Sequence, residues 1–136
     1  MLKTIISDII NLLTEHGVKE VYSAFDAVDI QRKSKGIFSV AEIRSFSSSV
    51  PIYSQNYVYI PFKADISLRI TAPESWTMDR LYTYFDELIA PAVKSMSSLN
   101  SSINDITIKP DSNIHRLVLT VDFSTAGMIK DERSPV

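Results

Sequence analysis

The chain has 136 residues, 45% of them hydrophobic and 22% charged, which is enough for one domain with its own core and excludes wholesale disorder. A net charge of −2 and a pI near 5.6 remove the electrostatic case for a general nucleic-acid binder. The absence of cysteine excludes disulfides and thiolate metal sites and permits a reducing compartment.

The opening "MLKTIISDIINLLTEHG" superficially resembles a signal peptide, but Asp8 and Asn11 interrupt its apolar run and no small-residue cleavage site follows. No stretch reaches the length of a membrane helix, so no membrane partner is expected. At 100° per residue, Leu2, Ile5, Ile6, Ile9, Ile10, Leu12, Leu13 and His16 fall within an arc of roughly 160°, which predicts an amphipathic helix. Gly17 stands where a left-handed C-cap is wanted, and His16 suits the negative helix end better than a metal, since it has no ligating neighbour in sequence.

Strand-like sequence follows. Tyr22, Ala24, Val28 and Ile30 share one face, "KSKG" turns the chain at Gly36, and "IFSVAEIRSF" returns it. This predicts a β-hairpin with a cationic tip at Arg32, Lys33 and Lys35. "RSFSSSVPIYSQN" breaks any period and reads as a long loop whose Phe46, Ile52 and Tyr53 either fold back on the body or pack on a neighbouring subunit.

In "YVYIPFKADISLRITAPESW", Ile60, Phe62, Ala64, Ile66, Leu68 and Ile70 alternate without a break with Pro61, Lys63, Asp65, Ser67 and Arg69. This is the strongest strand, with Pro61 arguing for a strand start or an edge. A second helix is predicted from Thr77 to Met96, capped by Thr77 or Ser75. Its apolar face holds Met78, Leu81, Tyr82, Phe85, Leu88, Ile89, Ala92, Val93 and Met96. Pro91 removes the hydrogen bond to the carbonyl of Glu87, so a kink or early end is expected. "SMSSLNSSIND" reads as a polar turn, and "DITIKP" and "HRLVLTVDF" as two further strands. Gly127 marks a break, and residues 128–136 read as a flexible tail to a single domain spanning 1–136.

No constellation for catalysis emerges. No G-x-S-x-G elbow exists, three glycines leave no phosphate-cradling loop, and His115 beside Arg116 reads as a strand-end residue. Asp26 and Asp29 point to opposite faces of a strand, and "DSN" at 111–113 is a turn signal. The chain is therefore expected to be no enzyme, with no catalytic residue, metal or cofactor.

The fold class implied is α+β, a mixed or antiparallel sheet packed by two main helices in the order α-β-β-β-α-β-β. That order, with "YVYIPFKADISLRITAPESW" and "LYTYFDELIAPAV", resembles the tail-terminator proteins of contractile-tailed phages and prophage-like particles, over roughly Met1 to Ile129. The resemblance implies a structural ring, a hexamer when assembled, that caps the tail tube, ends elongation and offers the head-joining surface. It implies as partners further copies of the chain, the tail-tube protein, and sheath and head-connector proteins. The implied location is a virion or phage-like particle, with the protein made in the bacterial cytoplasm. On this reading Arg32, Lys33, Lys35, Arg44, Phe46, Ile52 and Tyr53 form the subunit and partner interface. The alternatives are a head–tail connector or tail-completion subunit, and an α+β adaptor that takes a peptide by strand addition at an open sheet edge.

Overall fold

In the structure, a computed structural model, residues 2–23, 36–95, 100–111 and 116–132 are described, without the side chains of Asn100, Ser101 and Glu132. The elements run α1 (Leu2–Glu15), β1 (Val21–Ser23), β2 (Phe38–Ser48), β3 (Ile52–Tyr53), β4 (Tyr57–Pro73), α2 (Met78–Tyr84), a π-helical turn (Phe85–Ile89), α3 (Ala90–Ser95), β5 (Asn100–Asp111) and β6 (Arg116–Glu132). They form the α+β architecture expected: one six-stranded mixed sheet in the order β1-β2-β4-β6-β5, with β3 also on β4, and the helices against one face.

The core follows from the period of two. Ala64, Ile66, Leu68, Ile70 and Ala72 of β4 and Leu119, Val121 and Phe123 of β6 are all fully or almost fully buried. Their register sets Ile66 opposite Phe123, Leu68 opposite Val121 and Ile70 opposite Leu119, so adjacent strands present one apolar layer. Ile5, Ile9 and Leu13 of α1 close over it together with Leu81, Ile89, Ala92 and Val93. The buried stripe of α1 is narrower than its apolar arc, and Leu2 remains exposed. Gly17 ends α1 at φ 92°. Val18 N–H reaches the Leu13 carbonyl and Gly17 N–H the Thr14 carbonyl, each at 3.0 Å, the paired bonds of a Schellman cap.

The second helical segment is capped by Thr77, whose hydroxyl accepts from Arg80 N–H at 3.2 Å. Pro91 neither ends nor replaces the helix. The turn before it widens, and Ala90 N–H bonds the carbonyl five residues back, at Phe85. Proline has no proton for the Glu87 carbonyl and its ring crowds that oxygen, which a π turn accommodates. Widening also rotates the face. Met78 and Tyr82, expected in the core, are exposed, and Tyr84 is half-buried instead, edge-on to Trp76 with ring centres 5.9 Å apart.

Several boundaries differ from the expectation. β1 pairs with β2 in parallel, Val21 opposite Ser39, so the two strands are not the arms of a hairpin. Parallel neighbours need a crossover of about a dozen residues rather than a tight turn. Arg32, Lys33 and Lys35 lie outside the described residues. The long loop is mostly strand: β2 continues through Ser48, only residues 49–51 interrupt it, and β3 resumes the pairing with β4. Pro61 lies inside β4. Its carbonyl accepts from Ser49 N–H at 2.9 Å, so the N–H it lacks would point at that interruption, where no ladder bond is lost. Much of the expected polar turn is the start of β5. Residues 128–132, read as tail, belong to β6 and pair with β4. Gly127 is no break: it lies opposite Phe62, and a Cβ there would stand 3.3 Å from that ring.

Candidate interaction surface

The face of the sheet away from the helices carries two distinct regions. Its middle is polar and is shaped by two β-bulges at the same level. One lies between Ile43 and Ser45 in β2, the other between Ile103 and Asp105 in β5. Each inserts one residue, Arg44 and Asn104, beside the rung formed by Ser45, Asp65, Ser124 and Ser102. Asp65 sits at the centre. Ser124 donates to one carboxylate oxygen at 2.6 Å and Ser45 to the other at 2.7 Å, while Asn104 donates to Ser124 at 2.7 Å. These hydroxyl bonds hold the Asp65 carboxyl below its usual range, with smaller help from Lys63 and Arg44 against desolvation. Arg44 reaches over β4 to Asp122 at 3.2 Å, and Arg69 lies 3.6 Å from Glu42. The region is a closed polar network, and among the described residues no group of three metal-ligating side chains is present.

The end of the sheet farthest from β1 is different. Val50, Ile52 and Tyr53 are 82%, 50% and 64% exposed, and Met128 is 51% exposed. Register places Ile52 beside Tyr59, Tyr59 beside Lys130, and Pro61 beside Met128, so apolar and aromatic groups from three strands meet here. Lys130 sits over the Tyr57 ring, 4.0 Å from its centre.

The residues singled out from the sequence are dispersed by this geometry. Arg44 is a bulge residue tied to Asp122. Phe46 turns to the helix-bearing face, half-buried and stacked on Phe62 at 5.8 Å between ring centres. Ile52 and Tyr53, as strand neighbours, point to opposite faces. His16 meets Ser95, Nε2 to Oγ 3.3 Å, joining the ends of α1 and α3; His115 lies outside the described residues. Asp65, Ser45, Ser124 and Asn104 escaped the sequence reading, because their meeting depends on bulges and on cross-strand register that no local pattern encodes.

At the opposite end Arg116 is buried. Its guanidinium donates to the carbonyls of Gly36 and, at 2.9 Å, Thr71, and lies 4.8 Å from the centre of the Phe38 ring. Burial pushes its pKa down, opposed by the charge of Glu20. Glu20 itself adopts φ 48°, an uncommon conformation for a residue with a side chain, as the chain enters β1.

No family model matches the chain, and no curated protein matches it. Among solved structures it is similar to the core region of PilO from the type IV pilus system of Pseudomonas aeruginosa, with a TM-score of 0.28 and 13% identity over 79% of this chain and 96% of that one. It is also similar to the type 4 fimbrial biogenesis protein PilO from the same organism, with a TM-score of 0.27 and 13% identity over 94% and 69% of the respective chains. Likeness at that level carries no argument about what this chain does. Neither structure is a phage protein, and on that finding the tail-terminator expectation is corrected, together with its connector variants, its ring and tail-tube partners and its virion location. The fold gives the physical reason. The resemblance rested on the order helix, hairpin, long loop and strand, and the hairpin is a parallel pair while the loop is two strands.

Proposed function

We propose that this chain is a non-catalytic protein-interaction domain whose contact surface is the β3 end of the sheet. The observation that carries this reading is the gathering of Val50, Ile52, Tyr53 and Met128 there, all exposed, beside the half-buried Tyr57 and Tyr59. Single exposed apolar residues are ordinary, whereas a group of them at one site marks a contact. The absence of catalysis is supported by the polar centre. Its one strongly hydrogen-bonded carboxylate, Asp65, is engaged by two serines on neighbouring strands, an arrangement that serves to fix the sheet.

The test is site-specific photo-crosslinking in cells that make the protein. A photoreactive phenylalanine analogue at Ile52 is expected to join the chain to a discrete partner, and the same analogue at Thr83, on the exposed side of α2, is not. Crosslinks of equal yield from both positions, or none from Ile52, would sink the reading.

A further inference from the structure

The open edge of β2 supplies a mode of contact for the interaction domain, and that mode rests on the interaction reading being right. Ser49 N–H donates to the Pro61 carbonyl, one residue beyond the pair formed by Ser48 and Phe62. In an antiparallel ladder, successive residues turn their backbone groups alternately to one neighbour and the other. Ser45, Ser47 and Ser49 therefore face β4, and Phe46 and Ser48 turn N–H and C=O to the other side. On that side β1 pairs only with residues 39–41. Arg44, Ser45, Ser47 and Ser48 are exposed, so among the described residues nothing covers the edge there.

The two margins of the sheet differ in a way that selects between them. β5 pairs only with β6, but its outer margin carries Asp105, Lys109, Pro110 and a bulge, the devices that blunt an edge against pairing. Residues 45–48 of β2 are three serines and a phenylalanine, with no charge and no proline. The charges that flank this stretch, Glu42 and Arg44, are already paired with Arg69 and Asp122. We propose that the partner docks as an added strand on this edge: an uncharged extended segment of another protein, hydrogen-bonded to the backbone of Phe46 and Ser48. Alternate apolar side chains of that segment meet the Phe46–Phe62 stack on one face and Val50 and Ile52 beyond it.

The probe is an acetylated and amidated eight-residue peptide of alternating threonine and valine, followed by amide hydrogen exchange in the isotope-labelled protein. In the free protein the amides of Phe46 and Ser48 exchange fast and those of Ser45 and Ser47 slowly. Excess peptide is expected to slow Phe46 and Ser48 at least tenfold. Ser48→Pro removes only an outward N–H and is expected to keep the fold while weakening peptide binding at least tenfold; Ser48→Lys, which leaves the backbone intact, is expected to weaken it also. Protection that appears on β5, or no protection at Phe46 and Ser48 with millimolar peptide, would overturn the proposal. So would a partner crosslinked through Ile52 that binds Ser48→Pro and Ser48→Lys as well as the native chain, in which case the interaction reading stands and strand addition falls. Absence of any crosslink at Ile52 removes the interaction reading itself.

Discussion

Ser124 Oγ lies 2.6 Å from Asp65 Oδ1, and the register of β4 and β6 sets the two residues directly opposite each other. With Ser45 donating to the other oxygen, the carboxylate form is favoured in the fold and its pKa is lowered. A depressed pKa means stability present above the unfolded value of 3.8 and lost as pH falls through the folded value. The difference in melting temperature between the native protein and Asp65→Asn should therefore shrink as pH falls from about 5 to about 2. A difference that stays constant over that range would show that the serine bonds do not favour the charged form.

Arg116 is the first residue of β6 and ties the start of β2 to β4 through the carbonyls of Gly36 and Thr71. Arg116→Leu should cost about 1–3 kcal/mol, because it removes charged donors from carbonyls in a partly buried place. Arg116→Lys should recover only part of this, since an ammonium lacks the planar fork that serves two carbonyls and stacks on Phe38. Urea unfolding of the three proteins measures it, and full recovery by lysine would mean that charge alone matters.

Leu68 is fully buried opposite Val121 in the central strand pair. Leu68→Ala should cost about 2–5 kcal/mol, the range for truncating a large core side chain. A loss below about 0.5 kcal/mol, the scale of a neutral surface change, would contradict the assignment of the core face.

Tyr84 accepts a hydrogen bond from Lys19 N–H at 3.1 Å, and burial raises its pKa above the ordinary 10.0 despite that bond. A raised pKa means stability that is complete below the unfolded value and is lost as pH rises through the folded one. Above about pH 10 the native protein should lose stability more steeply than Tyr84→Phe, which has no proton to release. Parallel pH profiles for the two in chemical denaturation would count against a buried phenol.

The sequence alone determined whatever depends on neighbours along the chain. The alternation from Ile60 to Ile70 named the core face of β4 because pleating sends successive side chains to opposite sides. Gly17 and Thr77 marked helix ends because caps are local hydrogen-bond problems. Pro91 announced an irregularity for the same reason, though whether the helix would stop or widen was not written locally. Tertiary structure alone decided the relations between strands. Whether β1 and β2 run parallel depends on where the sheet accepts an edge, and the turn-like "KSKG" carries no trace of that. Strand pairing also converted the serine-rich stretch after Arg44 from loop to ladder, since β4 offers its partner groups there whatever the local propensity. The polar centre at Asp65 and the open edge at Phe46 and Ser48 both arise from register and a one-residue bulge, and a one-residue shift would turn each side chain to the other face.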